Sequence, residues 1–156
     1  MKVLLVATVQ SHICQFHKPL VTMLHEHGCE VCVVARNNLA EKNGLKLDFV
    51  ERVFDVPFQR SPFSPKNLGA YNQLKKIIDE GGYDVIHCNT PVGGVLGRLA
   101  ARKVRKHGTK VFYTAHGFHF YKGAPKKNWL IWHPVEKFMC RHTDKLITIT
   151  QEDYDL

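Results

Sequence analysis

Residues 2–8, KVLLVAT, form an unbroken apolar run rich in branched side chains. This run limits the fold more than any other feature. A strand with one wet face alternates apolar and polar residues. A strand that is apolar throughout must be covered on both faces, as in the centre of a parallel sheet. Further runs follow at EVCVVA, DFVERVFDV, YDVIHC, KVFYTA and KLITIT. Helical patterns separate several of them. Phe16 to His27 places Leu20, Met23 and Leu24 on one face and stops at Gly28. SPKNLGAYNQLKKIIDEGG starts at a Ser-Pro pair and ends at two glycines. Thr90 can cap a helix that begins at Pro91 and ends by Gly108. Strict alternation of this kind predicts an α/β fold: a Rossmann-like open, mainly parallel sheet of about six strands, helices on both faces and right-handed crossovers.

The chain has 156 residues, 44% of them hydrophobic, which suits one domain with a full core. The N-terminal apolar run is too short for a signal segment followed by a cleavage site, and no segment is apolar enough to span a bilayer, so any membrane contact is expected to be peripheral. Cys29 and Cys32 have CxxC spacing, but positions three apart on a strand face opposite ways, so a redox pair is not expected. Reduced, buried cysteines of a cytoplasmic protein are the expectation. The net charge is +8. Residues 98–145 carry twelve Lys and Arg against two Asp and Glu, whereas the rest carries ten against twelve. That block attracts phosphate, nucleic acid or an anionic membrane, or is simply a solvated basic face.

In open α/β sheets ligands bind beyond the carboxyl ends of the strands. The segments expected there are VQSHICQFHKP, PFQRSPFSPKN, NTPVGG and HGFHFYKGAP. They bring His12, Gln15, Arg60, Asn89, Thr90, His116, Gly117 and His119 to one rim. The first of these loops contains no glycine and the second strand ends at Arg36 rather than an acid, which argues against a dinucleotide site. Pro91, Gly93 and Gly94 at a helix N-terminus suit an anion; equally, Gly93 and Gly97, four apart, can let that helix lie close to the sheet. His116 and His119 have HxxH spacing, with His12, Cys14 and His17 as imaginable further ligands, but the spacing is irregular and no metal is expected. A polar or catalytic imidazole at a strand end is the better reading, and Gly117 beside His116 permits unusual backbone geometry close to a ligand.

HCNTPVGGVLGRLAAR, YTAHGFHFYKGAP, NWLIWHPVEKFMCRHTDKLITITQEDY and FQRSPFSPKNLGAYNQLKKII resemble the amino-terminal half of bacterial family 4 glycosyltransferases, and more narrowly their capsular and exopolysaccharide subgroup. The resemblance covers nearly the whole chain. It implies one half of a GT-B enzyme: residues 1–150 as the acceptor-binding domain, 151–156 as the start of a continuation, and a carboxyl-terminal donor-binding domain absent from these residues. The implied reaction is retaining transfer, without metal or cofactor, from a nucleotide sugar (UDP-linked) to a saccharide or polyprenyl-diphosphate-linked acceptor. His116 matches the family's active-site histidine; the loops around His12, Asn89 and Thr90 match its acceptor-side walls. The fragment alone is expected to be inactive.

Tyr113 to Trp132, YTAHGFHFYKGAPKKNWLIW, concentrates histidines, lysines and indoles. Its first half reads as cleft chemistry. Its second half continues into an apolar stripe of Ile131, Val135, Phe138 and Met139, which Pro134 is expected to split into two short helices. Lys122, Lys126 and Lys127 beside Trp129 and Trp132 suit an anionic membrane surface, which would place the protein peripherally at the inner face of the cell membrane. The tryptophans can equally pack the helix on the sheet. The alternative for the whole chain is a non-catalytic basic module binding nucleic acid or another polyanion. It explains the charge but not the histidine and glycine loops, so no nucleic-acid partner is expected.

Overall fold

A computed structural model describes residues 1–156. The order is β1 (Lys2–Val9), α1 (Gln10–Phe16), α2 (Lys18–Glu26), β2 (Glu30–Arg36), β3 (Arg52–Asp55), α3 (Lys66–Gly81), β4 (Val85–Asn89), α4 (Pro91–Ala100), α5 (Arg102–Arg105), β5 (Lys110–Ala115), α6 (Lys126–Met139), β6 (Lys145–Thr148) and α7 (Gln151–Asp155). The six strands form one sheet in the order β3-β2-β1-β4-β5-β6, and every neighbouring pair is parallel.

The continuous apolar strands are buried on both faces because successive residues feed two cores. Leu4 and Val6 join Cys32, Val34, Ile86 and Cys88 under Ala70, Leu74 and Ile78 of α3. Val3, Leu5 and Ala7 join Val31, Val33 and Ala35 under Ile13 of α1 and Val21 of α2. Leu4 and Leu5 are both fully buried, and truncating either to Ala should cost about 2–5 kcal/mol. Cys29 and Cys32 fall into opposite cores and are free thiols, so the spacing is not a redox pair. Cys29, Cys32 and Cys88 are buried, but Cys14 is half-buried and Cys140 is exposed.

Three local expectations are corrected. The segment after β1 is not a loop followed by one helix from Phe16. It is two helices that meet at His17, with α1 beginning directly at Gln10. Pro134 does not divide α6, which runs unbroken through it. Proline costs the amide bond to the carbonyl one turn back, here that of Leu130, and both residues lie on the exposed side where water can serve that carbonyl. Thr90 precedes α4 but its side chain does not cap it. The alternating run DFVERVFDV pairs only over Arg52–Asp55, as expected of an edge strand.

Candidate functional site at the switch between the first and fourth strands

The chain runs outward from β1 through β2 to β3, then returns to the other side of β1 with β4 and continues outward to β6. The connections leaving β1 and β4 therefore diverge and open a crevice at the carboxyl ends of those strands, the position where such sheets bind ligands. Thr90 closes the floor. Its Oγ1 accepts the Thr8 amide at 3.0 Å and lies 2.7 Å from Thr8 Oγ1. Its φ is +65° with ψ 157°, a region that costs a residue with a side chain about 1–3 kcal/mol. The hydroxyl bonds to β1 hold it there.

Gly93, Gly94 and Gly97 bring α4 against the sheet. A Cβ on Gly93 would lie 3.0 Å from the Ala7 backbone, on Gly94 2.5 Å from the Tyr113 ring, and on Gly97 2.6 Å from Cys88 Sγ. The Gly93 amide already faces Thr8 Oγ1 at 3.4 Å. Of the two sequence readings of this segment, close packing is the one the geometry supports.

Around the crevice stand three imidazoles. His12 comes from α1, His17 from the junction of α1 and α2, and His116 from the residue after β5. Ring centroids lie 4.6 Å apart for His12 and His116, 5.2 Å for His12 and His17, and 5.7 Å for His17 and His116. Fully buried Asn89 organises them. Its Nδ2 donates to the His87 carbonyl at 3.2 Å, which leaves Oδ1 as the acceptor. That one oxygen receives Nε2–H of His17 at 2.9 Å and of His116 at 3.2 Å. Both rings are thereby set as the Nε2–H tautomer, with Nδ1 a bare acceptor. Behind them His87 Nε2 meets Thr114 Oγ1 at 2.7 Å.

The cluster is uncharged at neutral pH. Burial, with the neighbouring His116 and His17 adding to it, pulls His12 down to about 3. Burial also lowers His17 against the opposing Asn89 bond, takes His87 to about 4, and lowers His116 with His17 contributing. His17 Nδ1 and His12 Nε2 are buried without a hydrogen-bond partner in the protein. Buried polar atoms are normally paired, so these two are acceptors or donors for a group that enters the crevice. The ligand atoms of His12, His17 and His116 lie within 4.8 Å of one another. A tetrahedral zinc at about 2.0–2.1 Å from each nitrogen needs them closer, about 3.4 Å apart. Neutral imidazoles already bound to an amide suit sugar hydroxyls better than they suit a cation.

The structure gathers only part of the predicted set. His12, Asn89, Thr90 and His116 meet; Gly117 follows with φ +110°, a conformation rather than a lack of space requiring glycine. Gln15 is exposed on α1. Arg60 is exposed in the connection between β3 and α3 and makes no hydrogen bond or ion pair to the trio. His119 lies apart, its ring 4.7 Å from Trp132 and its carbonyl receiving Asn128 Nδ2 at 2.9 Å. His17, absent from the predicted binding residues, is the most buried member of the trio. Its signal was the kink that Pro19 imposes just after it.

The Glycosyl transferase 4-like family matches residues 2–150. The chain belongs to that family. It is 55% identical over 153 residues to EpsD of Bacillus subtilis (strain 168), named as a glycosyltransferase, covering 98% of this chain and 39% of that protein. It is 30% identical over 125 residues to the UDP-Gal:alpha-D-GlcNAc-diphosphoundecaprenol alpha-1,3-galactosyltransferase of Escherichia coli, covering 77% of this chain and 32% of that protein. The chain thus spans less than half the length of these relatives. Among solved structures, a UDP-N-acetylglucosamine 2-epimerase superposes over 99% of this chain and 43% of its own with TM-score 0.69 at 16% identity. MurG of Acinetobacter baumannii superposes over 97% and 41% with TM-score 0.56 at 15% identity. These two likenesses establish the Rossmann-like fold.

Proposed function

We propose that this chain is the acceptor-side domain of a retaining glycosyltransferase. In this reading the whole protein moves a sugar from a UDP-linked donor to a polyprenyl-diphosphate-linked or saccharide acceptor during exopolysaccharide synthesis, working at the inner face of the cell membrane. The observation that carries it is the neutral trio His12, His17 and His116 set around Asn89 at the switch point. The UDP donor and the lipid-linked acceptor are supported by the name of the Escherichia coli relative, and the exopolysaccharide assignment by the likeness to EpsD.

Transfer develops positive charge at the anomeric carbon and negative charge on the leaving phosphate. A group helps when its contacts strengthen as that charge grows. His116, with Nε2–H fixed on Asn89, presents Nδ1 as an acceptor for a sugar hydroxyl, and its neutrality avoids repelling the developing cation. His12 and His17 offer the buried nitrogens against which an acceptor hydroxyl can be seated. No step calls for metal. In the full-length protein, His116→Ala should lower turnover roughly 10²-fold or more, while folding and nucleotide affinity stay nearly intact. Near-normal turnover of that variant, or activity abolished by a chelator and restored by a divalent ion, would remove this assignment.

A further inference from the structure

The positive block at residues 98–145 divides unequally once folded. Its two carboxylates are both consumed by arginines. Glu136 is buried on Arg98 at 3.0 Å, and Asp144 is held by Arg105 at 2.9 Å. Every other charged residue of the block is a cation, and no carboxylate of the block is left unpaired.

Apart from Trp129 at its margin, the exposed positions of α6 fall on one side: Lys126, Lys127, Leu130, Ile131, Pro134, Lys137 and Phe138. They recur at three- and four-residue steps, so this is a single face. Leu130 is 76% exposed and Phe138 49%. The tryptophans expected at this surface also make contacts within the protein. Trp129 donates Nε1–H to the Tyr121 carbonyl at 3.2 Å and packs on Phe120, and Trp132 packs on His119. They fasten the loop after β5 to α6, and most of the free apolar surface belongs to Leu130, Ile131 and Phe138, with part of the Trp129 ring at its margin.

This face runs into a groove of ≈ 620 Å³ lined by Arg102, Lys103, Arg105, Lys106, His107 and His142, together with Asp144, which Arg105 holds, and Lys75, which is paired with Asp79 at 2.7 Å. The two are continuous: the Phe138 and His142 rings are 5.2 Å apart, and Arg105 Nη1 donates to the Arg141 carbonyl at 2.9 Å. Arg102, Lys103 and Lys106 are exposed and have no acidic partner. The groove is formed around the connection between α4 and β5, at the amino edge of the sheet, away from His12, His17 and His116.

We propose that the outer face of α6 and the α5 groove together form a docking surface for an anionic lipid bilayer, with Leu130, Ile131 and Phe138 entering the interface and the groove taking lipid phosphates. An apolar stripe flanked by lysines is the composition of a helix lying in a bilayer surface. A second copy of this chain would bring like charge against it. A nucleic acid would use the cations and leave the apolar stripe idle. The proposal rests on the reading of the acceptor as lipid-linked for its purpose, but flotation needs neither donor nor acceptor, so failure here leaves the transfer reading standing.

The test is flotation of the full-length protein with vesicles of phosphatidylglycerol and phosphatidylcholine, against phosphatidylcholine alone. Wild type should float with the anionic vesicles and lose that binding at high salt. Each cation near an anionic surface contributes roughly a fivefold factor in partitioning, so Lys103→Glu/Lys106→Glu should weaken binding at least about 20-fold. Leu130→Ser/Ile131→Ser/Phe138→Ser should weaken it about tenfold or more with an unchanged unfolding midpoint. Inorganic phosphate at millimolar concentration should not displace the vesicles; displacement would make the groove a free-phosphate site and overturn the proposal. So would vesicle binding indifferent to the serine triple, which would leave a plain polyanion site or a face covered by another protein surface. Dimerisation lost in the serine triple would do the same.

Discussion

Arg98 is fully buried between α4 and α6, and its replacement has a cost that can be worked out. One guanidinium nitrogen contacts both Glu136 oxygens, at 3.1 and 3.0 Å. Nε–H donates to the Gly94 carbonyl at 2.8 Å, and the guanidinium carbon sits 3.8 Å from the Tyr113 ring centroid. Arg98→Met strands a buried carboxylate. Breaking such a pair from one side costs about 3–5 kcal/mol, and the desolvated contact with Tyr113 adds about 2 kcal/mol, partly returned by methionine burial. Nη1 of Arg98 is buried without a partner, so the pair is incompletely satisfied even in the native protein. Replacing both residues, Arg98→Met/Glu136→Leu, should therefore cost far less than the sum of the single changes, about 1–2 kcal/mol. In urea, a slope near 2 kcal/mol/M puts the Arg98→Met midpoint about 2 M below wild type. A single-variant loss under about 1 kcal/mol would refute the reasoning. So would a double variant as unstable as the two singles added, because then no coupling exists.

Other outcomes follow from the crevice. Asn89→Leu removes the acceptor shared by His17 and His116 and should lower turnover of the full-length protein at least about tenfold, with about 1–3 kcal/mol lost in urea unfolding. Gly94→Ala drives a methyl into Tyr113 and should cost about 1–3 kcal/mol by the same measurement. His12 and His87 titrate near 6.5 when unfolded but only near 3 and 4 when folded, so the unfolded chain binds more protons below pH 6.5. Stability should therefore be full above pH 6.5 and fall as pH drops toward 4; His12→Gln/His87→Gln should flatten that slope in urea midpoints measured from pH 7 to 4.5. The 156-residue chain alone should show no sugar transfer at an enzymatic rate in a donor-turnover assay.

How much of this was legible depends on where each element gets its bonds. β1, β2, β4 and β5 declare themselves because burial on both faces keeps them mainly apolar, the buried polar exceptions being Thr8, His87, Asn89 and Thr114, which find partners. α3 and α4 are visible from their amphipathic faces and from proline and glycine at their ends. α1 was hidden because its support is not local. Val9 gives no side-chain cap, and the Ser11 amide is instead satisfied by Asn38 Oδ1 at 3.0 Å, from beyond β2. Gln10 likewise reaches the Ala35 carbonyl at 3.3 Å. Reading α1 as a loop then concealed His17, whose place depends on two helices meeting. Asn89 was visible as a rim residue, but its role in orienting two imidazoles exists only across 72 and 27 positions of chain. On α6 the expected stripe of Ile131, Val135, Phe138 and Met139 mixes two faces: Met139 is buried and Val135 half-buried, while Ile131 and Phe138 face outward with Leu130, a division set by how the helix sits on the sheet and on the loop from Phe118 to Tyr121, which local periodicity does not report.

Thr8 and Thr90 touch across 82 positions of sequence, and the imidazoles come from the connections after β1 and β5. No segment that could open by itself contains the crevice. A molecule seated there clamps β1, β4 and β5 at once, so its binding free energy adds to global unfolding rather than to a local opening. At a hundred times its Kd it would add about 2.7 kcal/mol to the unfolding free energy. Amide exchange should then slow together in those three strands, while the amides of α5, at the opposite edge of the sheet, keep exchanging at their unliganded rate.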